Sequence, residues 1–188
     1  MDKRTFLATC SMAALLAACT TTGPSGGSNP AAEKQAIDAK VDGALTKLYS
    51  QAQGSQPLVQ QAKGVLVFPE VVSAGLVVGG SYGKGALREG GKTTGYYSTT
   101  AGSVGLLAGA ESKALYILFM TQDALDKFKA SKGWTAGADA SVTMINVGAA
   151  AGTGTLTGQQ PVVGYALSNA GLMANLSLDG TKISRLDI

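Results

Sequence analysis

A chain of 188 residues in which 45% are apolar and only 14% charged is too hydrophobic to be a disordered segment. Its formal net charge of +3 comes from 15 basic and 12 acidic side chains spread along the chain, which excludes the basic stripe that nucleic acid requires. There is no histidine, so the commonest general base and the commonest zinc ligand are both missing.

The chain opens with a short positive stretch, Lys3 and Arg4, followed by the uncharged apolar run from Phe6 to Ala18. That run falls short of the roughly 20 residues a membrane-spanning helix needs, and has the shape of a secretory signal. It ends in Leu16-Ala17-Ala18-Cys19, which resembles the bacterial lipobox, whose cysteine is acylated before cleavage. Residues 1–18 are therefore expected to be a lipoprotein signal peptide, with Cys19 the lipidated (palmitate-bearing) first residue of the mature chain. Removing Lys3, Arg4 and Asp2 leaves 13 basic and 11 acidic side chains, a mature net charge of +2. Cys10 departs with the signal and Cys19 carries lipid, so no intramolecular disulfide is expected. Residues 19–28, rich in Thr, Gly and Ser, read as a flexible tether.

Residues 29–188 are long enough for one domain with its own core. Asn29-Pro30 supplies an N-cap and a first-turn proline, and Ile37, Val41, Leu45, Leu48 and Ala52 recur at helical spacing. A long helix packed on a sheet is expected. A second, short helix is expected from Pro57 to near Gly64. A third is expected over Thr121–Lys132, with Leu125 and Phe128 inward and Gly133 as its stop.

The remaining segments read as strands: Gly64–Phe68, Val71–Tyr82, Ala86–Arg88, Thr94–Thr99, Ser103–Gly109, Ala114–Met120, Ala138–Val147, Val162–Ser168, Leu172–Leu178 and Lys182–Leu186. Turns are expected at Glu89-Gly90-Gly91, Asn169-Ala170-Gly171 and Asp179-Gly180. The 26 glycines, placed inside such strands, suit sharp coiling. The fold class is thus α+β, mainly β: a glycine-rich curved antiparallel sheet or barrel-like core with a long N-terminal helix and short helices packed on it.

No catalytic constellation emerges. Gly79-Gly-Ser-Tyr-Gly-Lys-Gly85 fails as a phosphate loop, because Val78 stands where its first glycine belongs and Gly85 replaces the magnesium-binding hydroxyl. Gly152-Thr-Gly154 has Thr157 where a dinucleotide loop needs its third glycine. The carboxylates Glu70, Glu111, Asp139 and Asp179 are scattered, and Glu111, in an apolar stretch, is expected to be partly buried. No enzyme activity, cofactor or metal is implied. A hydrolase has no motif behind it, and a transmembrane β-barrel is opposed by the helices and the shortage of aromatic residues.

Several segments together resemble the SYLF domain family. They are Ala62-Lys63-Gly64 with the run to Phe68, Ala74-Gly75, Gly80-Ser-Tyr-Gly-Lys-Gly85 and Gly105-Leu-Leu-Ala-Gly-Ala-Glu111. Then follow the apolar strand to Met120, Ala124 and Phe128, Gly137-Ala-Asp-Ala-Ser-Val142, Tyr165, Ser168, Gly171-Leu172 and Ser177-Leu-Asp-Gly180. The chain departs from the family pattern at Leu107, at Ser112-Lys113 and over Thr143–Val147.

The resemblance implies a membrane-associated, non-enzymatic module. Eukaryotic relatives bind phosphoinositides and a yeast branch binds actin, but a bacterial envelope offers neither actin nor abundant phosphoinositides. What transfers is recognition of anionic phospholipid, including phosphoinositide-like headgroups. Lys84, Arg88 and Lys92, close together around one hairpin, are the candidate headgroup residues. The alternative is an envelope scaffold that binds a protein partner and has no lipid-headgroup site. Thr20, which is not the aspartate that retains lipoproteins at the inner membrane, points to an outer-membrane anchor facing the periplasm.

Overall fold

The computed structural model describes residues 29–75, 78–104, 109–145, 160–169, 171–173 and 176–188. The expected signal segment, Cys19 and the expected tether lie outside the described residues, as do the strand expectations for positions 76–77, 105–108, 146–147 and 174–175 and the turn expectation at Ala170.

The first helix, α1, spans Pro30–Gln51, and its start follows from the local sequence: the Asn29 side-chain oxygen accepts from the Ala31 N–H at 3.1 Å. Its buried stripe is Ile37, Val41, Ala44 and Leu48, with Leu45 half-buried, so the contact face is turned slightly from the expected one. The small Ala44 brings the helix backbone close enough for the Tyr116 hydroxyl to donate to the Ala44 carbonyl at 2.8 Å. Helix α2 is Ser55–Gln61, starting before Pro57 rather than at it.

The strands are fewer and longer than their apolar segments suggest. They run β1 Gly64–Gly75, β2 Val78–Glu89, β3 Lys92–Val104 and β4 Gly109–Phe119; after helix α3, Gln122–Ala130, come β5 Trp134–Thr135, β6 Thr143–Met144, β7 Val162–Ser168, β8 Gly171–Leu172 and β9 Lys182–Arg185. They form one curled sheet in the order β5-β9-β3-β2-β1-β4-β7-β6, with β8 beside β7. The pairing is antiparallel except for β6 with β7.

Proline explains the largest difference from the sequence reading. The stretches either side of Pro69 form a single strand, because the missing N–H is absorbed by a bulge where the register shifts against both β2 and β4. The expected strand Val71–Tyr82 is instead the end of β1 and the start of β2, paired as a hairpin through Val72 with Tyr82 and Gly75 with Gly79. At the other end of β2, Gly90 and Gly91 have φ of 56° and 79°, the two left-handed residues of a tight hairpin turn between Glu89 and Lys92.

Two further expectations are corrected. The described part of Ala138–Val147 is not one continuous strand: Thr135 to Ala140 is a tight turn, in which the Thr135 N–H donates to Asp139 Oδ2 at 2.6 Å and Ala136 bridges to Ala140, and among the described residues of that span Thr143–Met144 is the part that joins the sheet. Its Gly137, at φ 86°, lies against Asp179, so two segments distant in sequence close on each other. Helix α3 has Thr121 as its N-cap, with Leu125 and Phe128 buried, but ends at Ser131 in extended conformation rather than at Gly133.

The sheet carries an apolar core on each face. On one side α1 covers Val65, Val67, Ala86, Tyr116, Leu118 and Val163. On the other, Leu66, Phe68, Leu87, Leu115, Ile117 and Phe119 pack under α3 and Trp134, with the Phe128 ring 4.8 Å from that of Phe119 and 5.8 Å from that of Trp134. The adjacent residues Val65 to Phe68 alternate between the two cores, which is why that run has no polar positions. No helix among the described residues is long and apolar enough to cross a membrane.

Candidate functional site

The hairpin lysines and arginine are not gathered into one patch. Lys84 and Arg88 share a face of β2, four residues apart, and both reach α1. Lys84 Nζ lies 2.6 Å from Glu33 Oε1, and this hydrogen bond raises the lysine above its ordinary pKa. Arg88 Nη2 lies 2.7 Å from Asp42 Oδ1 and 3.6 Å from Asp38 Oδ1, and donates to the Asp38 carbonyl at 3.3 Å. Asp38 also accepts from Thr93 Oγ1 at 2.6 Å and from the Tyr96 hydroxyl at 2.9 Å. The Arg88 side chain is only 14% exposed, so this set of contacts locks α1 to the β2–β3 hairpin.

Lys92 stands apart from both. It pairs in register with Glu89, next to the Arg88–Thr93 pair, and strand alternation turns it to the α3 side of the sheet. Glu89 marks that side, since its carboxylate meets Lys129 Nζ of α3 at 2.9 and 3.1 Å and accepts from Thr94. Partial burial pushes Glu89 up, but the hydrogen bonds from Thr94 and Lys129 outweigh it and hold the carboxyl below its ordinary range. Glu111, expected to be partly buried, is exposed on β4.

What the sequence reading missed lies along the edge of α1. A cleft of about 340 Å³ opens there between Ala36, Ile37 and Lys40 of the helix and Val72, Tyr82 and Lys84 of β1 and β2. Val72 and Tyr82 are a cross-strand pair left 43% and 48% exposed. A second cleft of about 330 Å³ follows, bordered by Lys40, Gly43, Lys47, Glu70, Ser112 and Asn169. The two share Lys40, Pro69 and Glu70, and Lys40 Nζ is 3.1 Å from Glu70 Oε2 at their junction. The available signal was the spacing of Lys40 and Lys47, two helical turns apart on one side of α1. Among the described residues, no three His, Cys, Asp or Glu side chains are gathered to hold a metal ion.

Residues 100–187 match the model of the family Ysc84, described as a Las17-binding protein actin regulator. This match agrees with the SYLF resemblance of the sequence. The match runs from the second half of β3 to β9 and spans a little under half of the chain. The clefts on the α1 side are bounded by SYLF-matched strand β4 and by α1, β1 and β2, which precede the matched segment. No curated protein matches the chain.

Proposed function

We propose that the chain is a lipid-anchored protein of the bacterial cell envelope, held in the outer membrane through acyl chains on Cys19 and facing the periplasm, whose SYLF domain binds anionic phospholipid without catalysing a reaction. The observation that carries the lipid reading is the Val72–Tyr82 pair, exposed on a sheet whose other large apolar side chains are mostly buried, and flanked by Lys40 and Lys84. An aromatic ring and an aliphatic side chain bordered by lysines suit the boundary between headgroups and acyl chains. The SYLF resemblance supports the same reading. The family description names a Las17-binding actin regulator, but actin is no partner for a periplasmic domain.

Within this reading Lys84 and Arg88 serve headgroup binding by exchanging Glu33, Asp38 and Asp42 for phosphate. Lys92 is exposed and serves without such an exchange. Vesicle co-sedimentation tests the proposal: phosphatidylglycerol vesicles should retain the protein, phosphatidylcholine vesicles should not, and salt should release it. Retention on neither vesicle would favour the scaffold alternative, with a protein partner and with Cys19 as the only membrane contact. The anchor is tested by labelling cells with a clickable palmitate analogue. Equal label on the Cys19→Ala chain would refute it.

A further inference from the structure

We infer that the second cleft, between α1 and β4, is a binding site for a phosphate-ester anion. The inference rests on the phospholipid reading for the identity of its ligand, but the site is argued from its own residues. Lys40 and Lys47 are seven residues apart on α1, hence on the same face, stand about 10 Å apart along the axis, and both line the cleft. Lys47 Nζ has the neutral Ser168 carbonyl as its hydrogen-bond partner, at 3.4 Å, and meets no carboxylate among the described residues. Lys40 meets Glu70, but their side chains are 64% and 53% exposed, so a competing anion displaces this bridge at little cost. The Ser112 hydroxyl and the Asn169 amide border the same space, and neither side chain has a hydrogen-bond partner among the described residues. Two ammonium groups, a hydroxyl and an amide are the donors a phosphate group needs. Lys113 also borders the cleft, but it pairs with Val71, whose side chain belongs to the core on the α3 side.

Gly43 supplies an independent observation. A glycine in the middle of a long helix is destabilising, and here no packing requires it: a Cβ at this position would have nothing within 4 Å. Its effect is to leave the cleft open between the two lysines. Beyond the Lys40–Glu70 bridge the neighbouring cleft presents Val72 and Tyr82, which can cover the glycerol and upper acyl carbons of a lipid whose phosphate sits between Lys40 and Lys47. That continuity favours a phospholipid over a soluble phosphate ester.

The test uses the full lipidated chain in zwitterionic micelles, with phosphatidylglycerol added to the micelles or glycerol 3-phosphate added to the solution. The readout is the backbone amide shifts of Gly43, Ala44 and Ser112. Phosphatidylglycerol should shift them saturably. Replacing Lys40 and Lys47 together by Gln should weaken that binding about thirtyfold, at about fivefold per lysine. Gly43→Leu should abolish it by filling the cleft, and the thermal midpoint of each variant checks that the fold survives. Equal response to glycerol 3-phosphate would retain the anion site and overturn the lipid as its source. Binding of phosphatidylglycerol that survives both changes, with shifts confined to the β2–β3 hairpin, would overturn the cleft while leaving the proposed function standing. A wild-type chain that responds to neither probe would overturn both.

Discussion

Gly85→Ala adds one methyl group at the place where the sheet is most crowded. Gly85 sits on β2 opposite the Pro69 bulge, because Val67 pairs with Ala86 and Glu70 with Lys84, leaving Phe68 and Pro69 across from it. A Cβ there would overlap the Val67 carbonyl oxygen and come within 2.7 Å of Phe68 Cδ1. Neither obstacle yields easily: the carbonyl belongs to a strand paired on both sides, and the Phe68 ring is fully buried. Overpacking of this kind costs about 1–3 kcal/mol, and the backbone clash places the expected value at about 3. For a domain of this size that is a drop of about 6–12 °C in Tm, at about 2–4 °C per kcal/mol. Thermal unfolding followed by far-ultraviolet circular dichroism reads it directly. The control is Gly102→Ala on β3, where a Cβ would meet nothing within 4 Å; it should change Tm by no more than about 2 °C. A Gly85→Ala protein melting within about 2 °C of wild type, or an equal loss in the control, would refute the idea that the bulge requires glycine in the neighbouring strand.

Gly43→Ala should stabilise the protein by about 0.5–1 kcal/mol in denaturant unfolding, because its helical position has room for the methyl group. Arg88→Gln should cost about 1–2 kcal/mol, since it leaves Asp38 and Asp42 without their guanidinium, whereas Lys84→Gln should cost less than about 1 kcal/mol, because the lysine is the more exposed cation and has one carboxylate partner. Equal midpoints for these two variants would contradict that ranking. Burial raises Tyr165 from 10.0 to about 12 and Tyr116 further. A raised folded-state value means that their contribution is complete below pH 10 and lost as pH rises above it, by about 1.4 kcal/mol per pH unit for each phenol. Phenolate absorbance from these two rings should therefore appear together with loss of the circular dichroism signal, and its appearance in a still-folded protein at pH 11 would argue against their burial.

Features set by local chemistry were legible in the sequence. Asn29-Pro30 starts α1, Thr121 starts α3, the Gly90-Gly91 pair makes a tight hairpin, and Leu125 and Phe128 face inward. Each depends on residues within one or two turns of the chain. The number of strands did not follow in the same way. Pro69 reads as a strand break in isolation, yet β1 continues through it because β2 and β4 hold it from both sides. Which glycines are structural was equally hidden: Gly85 faces a bulge in another strand, whereas Gly43 faces open space.

The same division governs the candidate site. The sequence brings Lys84, Arg88 and Lys92 together by nearness along the chain, but strand alternation sends Lys92 to one side of the sheet and the carboxylates of α1 engage the other two on the opposite side. Lys40, Lys47 and Ser112 are as much as 72 residues apart, and become neighbours only where α1 lies across β1 and β4. By itself the sequence carried the helix and turn signals, the mixed and mainly β class, the SYLF resemblance and the lipobox-like segment on which the proposed anchor at Cys19 rests, because these reside in contiguous residues and short periods. Only the tertiary structure decided which charges are neutralised and which face a cleft, because an ion pair or a cavity depends on distance between elements, and that distance is set by how α1 packs on the curled sheet.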